Sequence, residues 1–171
     1  MIKSKHRGFT LIEVMTVVFI IGVIITFASL SIGQNSDKTL EEEARRLQYL
    51  IKLASEESVL RSTSMSLAIT KEGYQFDSIQ GDQFVPLEKD KLFRKREFPA
   101  DMKIDMEIQG QAVSFDNKDH PPRIFILSSG EMTAFKMLLK LEDSQPYTIT
   151  GDLIGQVKLF APGEQSDALG S

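Results

Sequence analysis

The chain has 171 residues, and its 20 basic and 24 acidic side chains give a net charge of −4. This length suits one domain with an appendage, and a hydrophobic content of 42% is enough to build a core. Because the sequence has no cysteine, it excludes a disulfide framework, a cysteine-ligated zinc site and a thiol nucleophile, and the acidic balance disfavours nucleic acid as a partner.

The first 36 residues combine a short basic leader with a long apolar run. Lys3, Lys5 and Arg7 precede an uncharged stretch of 23 residues, 14–36, and Glu13 is the one acidic residue of the region. At about 1.5 Å per residue, a helix of that length spans the ~30 Å hydrocarbon core of a bilayer. Because basic residues stay on the cytoplasmic side, the sequence predicts a single-pass membrane protein whose C-terminal part lies outside the cytoplasm.

A cleaved secretory signal peptide is the competing interpretation of this region, with Ser29-Leu30-Ser31 as its small-residue site. Two features disfavour it: the apolar run exceeds the roughly 7–15 residues of a signal core, and Glu13 lies near its start. A carboxylate facing lipid costs at least ~2–3 kcal/mol near the middle of a membrane. Glu13 therefore either lies shallow and reaches the interface, or meets a cation supplied by another chain or by a new N-terminus that proteolysis makes.

The segment Gly8-Phe9-Thr10-Leu11-Ile12-Glu13-Val14 resembles the processing site of type IV pilins and type II secretion pseudopilins. The resemblance implies that a prepilin peptidase cuts between Gly8 and Phe9 on the cytoplasmic side and methylates the new amine of Phe9. It also implies that Glu13 meets the N-terminal amine of a neighbouring subunit during filament assembly. Many major pilins have a proline where this chain has Leu30, and its absence predicts a straighter helix.

Residues 37–66 are predicted to form an amphipathic helix that packs on a sheet. Apolar and small residues recur there at helical spacing, namely Leu40, Ala44, Leu47, Ile51, Ala54 and Ser58, with Leu50 beside them. A capping-box pattern beginning at Thr39 allows the helix to restart there after a joint near Gly33. The family resemblance instead implies one continuous helix from Phe9 to about Thr63, and continuity is the favoured prediction.

Beyond Met65 the pattern alternates, as it does in half-buried strands. Strands are predicted near 66–70, 74–79, 104–108, 112–115, 124–127, 135–139, 147–149 and 157–159, with 151–155 as an antiparallel turn. These strands predict an α+β fold of the type IV pilin-like class, in which the long N-terminal helix packs on an antiparallel β-sheet head. The predicted organisation is a cleaved leader at 1–8, a membrane and assembly helix at 9–36, the amphipathic helix at 37–66, a head at 67–161 and a flexible tail at 162–171.

Two polar loops are candidate binding sites. Residues 116–122 are rich in oxygen ligands, but they lack the D-x-D-x-D-G spacing of a calcium loop and place Lys118 inside the cluster. A solvated loop is therefore predicted, with no metal or cofactor. Acidic residues are interleaved with the basic cluster, which predicts a solvated or partner-binding loop there too; its members are Lys89, Lys91, Arg94, Lys95 and Arg96.

Segments in the C-terminal half indicate which type of subunit within this family the chain resembles. Residues 126–135 (ILSSGEMTAF), 147–152 (YTITGD) and 155–157 (GQV) resemble the H-type minor pseudopilin of type II secretion; Gly130, Gly151 and Gly155 within them also suit tight turns. The resemblance implies a structural subunit near the tip of a periplasmic pseudopilus, with a single-pass anchor in the bacterial inner membrane and its head in the periplasm. Such a subunit helps to export folded proteins across the outer membrane. Its implied partners are the prepilin peptidase, the major pseudopilin and the other minor pseudopilins.

Two other functions compete with this one. A type IV pilus minor pilin, acting in piliation, adhesion or DNA uptake, shares the N-terminal motif, but DNA uptake needs a basic patch and residues 37–171 hold 17 basic and 23 acidic side chains. A membrane-anchored periplasmic enzyme is the remote alternative. The sequence has no G-x-S-x-G motif, its one histidine beyond the leader is His120, and Ser128 and Ser129 have no obvious base. No catalytic residue is predicted.

Overall fold

One long helix and ten strands make up the part of the chain that the computed structural model describes, residues 10–117, 119–141 and 144–164, without the side chains of 26–35. The helix is α1 (Leu11–Leu60). The strands are β1 (Met65–Ile69), β2 (Gly73–Gln80), β3 (Gln83–Pro86), β4 (Arg96–Glu97), β5 (Met102–Ile108), β6 (Gln111–Ala112), β7 (Arg123–Ile126), β8 (Phe135–Leu141), β9 (Tyr147–Gly151) and β10 (Val157–Phe160). The chain divides into two units between Asn35 and Ser36, and the second unit contains the C-terminal part of α1 and every described strand.

The described strands form two antiparallel sheets of five strands each. Sheet A has the order β3-β2-β1-β7, with β4 paired to the start of β2, and sheet B has the order β10-β9-β8-β5-β6. The predicted α+β class is confirmed, and each of the eight predicted strands is present, although the one expected at 112–115 is reduced to Gln111–Ala112. The division of the head into two sheets was not predicted, because alternation shows which residues share a face and not which strands pair.

The C-terminal part of α1 packs on the sheets through the predicted stripe. The side chains of Leu40, Ala44, Leu47, Ile51, Ala54 and Ser58 are all fully buried, and Leu50 is nearly so. All of them except Ser58 belong to one hydrophobic core with the inward residues of both sheets, such as Leu67 and Phe76 of sheet A and Met137 and Ile149 of sheet B. The periodicity of the stripe therefore located the face of the helix that the head covers.

α1 is continuous through Gly33 and Thr39, so no helix begins at Thr39. The helix ends at Leu60, before the predicted limits at residues 63 and 66. Thr63 N–H donates to Ser58 O (3.0 Å) and Ser62 N–H donates to Val59 O (3.2 Å), which is the bonding pattern of a Schellman motif. Ser62 takes the left-handed position with φ of 50°, where glycine is the usual sequence signal, so the sequence did not mark this end.

Within residues 10–117, 119–141 and 144–164, no helical stretch combines the length and the apolar content that a membrane crossing needs. The predicted membrane helix, 9–36, includes residue 9 and the side chains of 26–35, which lie outside the described part of the chain. Most of the predicted flexible tail, 165–171, also lies outside it. These two assignments remain predictions.

Two buried carboxylates join elements of the head. On sheet A, Asp77 is 1% exposed and accepts hydrogen bonds from the Arg123 guanidinium and from Gln75 Nε2 (2.7 Å). Under α1, the buried carboxylate of Glu43 pairs with Arg46 and accepts a hydrogen bond from the Tyr74 hydroxyl (3.1 Å). Burial, reinforced by the charge of Glu43, raises the pKa of that Tyr74 hydroxyl. Each carboxylate therefore has a specific donor from another part of the head.

Candidate functional site

The start of α1 is organised by Thr10. The N–H of Glu13 donates to Thr10 Oγ1 (3.3 Å) and to Thr10 O (3.1 Å), so Thr10 is the N-cap and Glu13 lies three residues into the helix. This is the T-x-x-E spacing of a capping box. The same spacing lies within the family motif of the sequence, at residues 10–13.

Glu13 therefore lies in the first turn of α1, where the partial positive charge of the helix N-terminus favours a carboxylate. Its side chain is exposed. The predicted cleavage residues, Gly8 and Phe9, lie outside the described part of the chain. The structure thus places one of the three predicted site residues, and it gives Glu13 a local structural role beside the predicted one in assembly.

The helix surface that follows Glu13 is apolar and exposed. The large hydrophobic side chains between Leu11 and Ile25 are 40–79% exposed, and Leu11 and Phe19 are exposed by more than 70%. A contiguous apolar surface of this kind marks a site for membrane or protein contact. The candidate site is therefore a carboxylate in the first turn of a helix whose following side chains are apolar and exposed.

Asp116 and Asn117, in the loop at 116–122, have partners within the protein. Lys71 Nζ donates to Asp116 Oδ1 (2.8 Å), and this hydrogen bond is the main reason why the pKa of Asp116 lies below its usual range. Asn117 Oδ1 accepts hydrogen bonds from the backbone N–H groups of Asp119 and His120, as in an Asx turn. In the described part of the chain, no three histidine or acidic side chains are grouped so that they could hold a metal ion.

The basic cluster lies on a strap, residues 87–98, that closes one edge of sheet A. Phe93 and Phe98 enter the core, and their ring centroids lie 5.2 Å from those of Phe76 and Tyr74, respectively. The exposed lysine and arginine side chains of the strap point to solvent. The sequence identified these charges but not the two phenylalanines that hold the strap in place.

The glycine-rich segments of the C-terminal half connect the two sheets with α1. The turn after β9 packs on the loop after β7, where Met132 N–H donates to Leu153 O (3.2 Å). At Gly155, with φ of +79°, a Cβ would lie 2.4 Å from Gly130 O. The Ser58 hydroxyl of α1 lies 3.1 Å from Leu127 O in the same loop. These residues therefore lie where the two sheets and α1 join.

Gly151→Ala is expected to lower the free energy of unfolding by about 1–3 kcal/mol, the usual cost of overpacking a core. A Cβ at residue 151 would lie 2.2 Å from Cε1 of Phe135, and that ring is fully buried and cannot swing out. Denaturant unfolding of the purified chain measures the change. Phe135→Leu shortens the ring side chain, so the double variant should be less destabilised than the sum of the two single changes. Strict additivity would contradict the proposed overlap.

Comparison with known proteins agrees with these features. Residues 3–29 match the family described as Prokaryotic N-terminal methylation motif. A Type II secretion system protein H from Aeromonas hydrophila is 26% identical over 96% of this chain and 99% of its own length. The protein of the same name from Pseudomonas aeruginosa is 34% identical over 78% of this chain and 82% of its own length.

A solved structure shows the same fold. It is that of the minor pseudopilin EpsH from the Type 2 Secretion System of Vibrio cholerae, with a TM-score of 0.64 and 22% identity over 75% of this chain and 99% of that one. The fold, the N-terminal motif and the identity along most of the chain agree with one another. The chain belongs to the type II secretion system protein H family, the H-type minor pseudopilins.

Proposed function

We propose that the chain, once processed at its N-terminus, is a structural subunit near the tip of the type II secretion pseudopilus and helps to export folded proteins across the outer membrane. One observation carries this proposal: Glu13 lies in the first turn of a helix whose following side chains are apolar and exposed, inside the matched methylation motif at 3–29. Before assembly, α1 anchors the chain in the inner membrane and the head lies in the periplasm.

The exposed apolar surface of α1 suits both the membrane, before assembly, and a bundle of helices, after assembly. About 25 cal/mol is gained for each Å² of apolar surface that leaves water, so the side chains between Leu11 and Ile25 favour either lipid or contact with other apolar helices. The same surface can therefore move from the membrane into a bundle of pseudopilin helices. The partners proposed for that bundle are the major pseudopilin and the other minor pseudopilins.

Processing changes the charge at the N-terminus of the chain. Cleavage between Gly8 and Phe9 removes Lys3, Lys5 and Arg7 and leaves one methylated, protonated amine on Phe9. That amine is the cation that Glu13 of a neighbouring subunit needs when it is withdrawn from water, because a buried carboxylate is stable only when it is paired. The prepilin peptidase is the enzyme proposed for both the cleavage and the methylation.

Gly8→Val is expected to block this cleavage, because the branched side chain obstructs the protease at the scissile bond. Mass spectrometry of the chain isolated from membranes should find methylated Phe9 at the N-terminus of the wild type and an intact leader in the variant. Gly22→Val is the control, since a Cβ at residue 22 meets nothing within 4 Å and lies far from the bond. A wild-type chain that begins at Met1, or beyond Ser31, would remove the proposal.

Deletion of the gene separates this function from the type IV pilus alternative. The proposal expects loss of exoprotein secretion with normal piliation, and loss of piliation alone would favour a minor pilin of that system. No catalysis and no cofactor are part of the proposal. His120 is exposed in its loop, and the Ser129 hydroxyl donates to the exposed carboxylate of Glu131 (3.1 Å).

A further inference from the structure

The outer face of sheet B brings together four lysines that are distant in the sequence. Strand alternation places Met137 and Leu139 of β8 in the core and the intervening residues on the outside. The pairing of β5, β8, β9 and β10 then gathers on that face Lys103, Lys136, Lys140 and Lys158, called here the lysine face. Three of the four are exposed and Lys136 is half-buried.

Two of these lysines oppose each other directly. Lys103 of β5 is the cross-strand partner of Lys140 of β8, and like charges in that position destabilise a sheet. In the described part of the chain, neither ammonium group forms an ion pair with a carboxylate. An anionic group held above these two lysines would be attracted by both charges.

The middle of the lysine face is less polar than its two ends. Leu138 of β8 and Phe160 of β10 are both half-buried, and both are cross-strand partners of Thr148 of β9. This row of three residues separates Lys136 and Lys158 from Lys103 and Lys140. An apolar centre with a charged rim is the usual anatomy of a protein–protein contact. Asp105 and Glu107 of β5 lie on the same face, where Glu107 is the cross-strand partner of Lys136. The described side chains of the face therefore carry a net charge of 4 − 2 = +2, in a chain whose net charge is −4.

The mixture of charges distinguishes between possible partners. A membrane surface or a nucleic acid presents a dense array of negative charge, which the two carboxylates of β5 repel. A folded protein with an acidic patch can place its carboxylates over the lysines and its own apolar or basic groups elsewhere. The chemistry of the face therefore fits an acidic protein surface best.

We propose that the lysine face receives an acidic surface of the head of a neighbouring pseudopilin. This inference rests on the proposed function, because it supposes that the chain is incorporated in a filament. The contact joins the four lysines to carboxylates of the neighbour, with Leu138 and Phe160 at its centre.

Charge reversal tests the contact. Lys140→Glu with Lys158→Glu changes the net charge of the face from +2 to −2, and we expect the amount of chain that co-purifies with the pseudopilus to fall at least about tenfold, equivalent to ~1.4 kcal/mol of contact. Lys140→Arg with Lys158→Arg keeps the charge and should co-purify as the wild type does. Lys91→Glu, on the strap and exposed, should have no effect. An equal loss from Lys91→Glu, or normal co-purification of the reversed variant, overturns the proposal.

Thermal unfolding distinguishes lost contact from lost folding. Lys140→Glu alone replaces a like-charge pair by an opposite-charge pair with Lys103, so its Tm is expected to rise by about 1–3 °C although its incorporation falls. A fall in Tm that parallels the loss of incorporation would mean that the lysines act through stability, which also overturns the proposal.

A crosslinker identifies what lies above the face. Because the chain has no cysteine, Thr148→Cys gives a unique thiol at its centre for a benzophenone group. The expected adduct in cells is to a pseudopilin, at a peptide rich in aspartate or glutamate. Adducts only to phospholipid, nucleic acid or the secreted protein, or no adduct, overturn the proposal.

Co-purification separates the failure of this contact from the failure of the proposed function. If the wild-type chain does not co-purify with the pseudopilus, the proposed function itself fails. If the wild type and the charge-reversed variant both co-purify normally, only this contact is wrong.

Discussion

Arg123→Met is expected to lower the free energy of unfolding by about 3 kcal/mol. Removing one partner of a buried ion pair costs roughly 3–5 kcal/mol, because the other charge stays in a site of low dielectric. Asp77 is 1% exposed, whereas the Arg123 side chain is 21% exposed, so some water can approach the pair, and the lower end of that range applies. Gln75 Nε2 continues to donate to Asp77 in the variant, but an amide does not neutralise a carboxylate.

The position of Arg123 explains why methionine is the informative replacement. Its guanidinium donates to Asp77 and to Ser66 Oγ (3.1 Å), and its Cζ lies 4.0 Å from the ring centroid of Phe84. Methionine keeps most of the apolar packing of the stem and removes the charge. The loss measured is then that of the ion pair and its hydrogen bonds rather than that of a cavity.

Two further variants decide whether the charge is responsible. Asp77→Leu added to Arg123→Met gives an apolar pair, which is expected to recover much of the loss, because a buried ion pair is often no more stable than a packed apolar one. Lys71→Met removes the exposed ion pair with Asp116, whose side chains are 63% and 81% exposed, and should leave stability unchanged. Urea unfolding of the purified chains measures all three. A double variant as unstable as Arg123→Met would contradict the electrostatic explanation.

Local patterns were sufficient to predict the buried helix stripe and eight of the ten described strands of the head. The stripe from Leu40 to Ser58 follows from helical periodicity alone, and every member is buried. Strands such as β5 and β8 follow from alternation in the same way. In both cases the information lies within a window of a few residues, which is the range over which backbone geometry determines the direction of side chains.

Contacts between distant residues were not predictable in this way. Arg123 and Asp77 are 46 residues apart and meet because β7 and β2 both pair with β1, an order of strands that no local pattern contains. The same is true of Lys103 and Lys140, which face each other only because β5 pairs with β8. β3 and β4 were not predicted because each is short and half-buried or exposed, so neither has the alternation of a buried strand.

At the N-terminus, the sequence predicted chemistry that the described residues do not test. Gly8 and Phe9 were identified by resemblance, whereas the cap formed by Thr10 is a matter of geometry and emerged only with the structure. Glu13 has a place in the capping box, as the third helical residue after Thr10, and it is also the carboxylate predicted to act in assembly. A variant of Glu13 must therefore separate a helix-capping role from a charge-pairing role.

Glu13→Gln is expected to remain in the membrane fraction but to enter the pseudopilus at least tenfold less than the wild type, a loss of ~1.4 kcal/mol or more. Glutamine is acceptable at the third position of a capping box, so the start of α1 is preserved. It has no charge, so the protonated amine of Phe9 on the neighbouring subunit would be buried without a counter-ion, which is the expensive state. Immunoblotting of the membrane and pseudopilus fractions measures the distribution.

Thr10→Ala is the complementary change, because it removes the N-cap hydroxyl, typically worth ~1 kcal/mol to a helix, and keeps the carboxylate of Glu13. Its incorporation should fall much less than that of Glu13→Gln, provided that mass spectrometry shows normal processing at Phe9. If Glu13→Gln assembles normally and Thr10→Ala does not, Glu13 acts as a cap and the pairing with a neighbouring amine is wrong. If charge is what matters, Glu13→Asp should recover part of the incorporation, because it restores the negative charge on a shorter side chain.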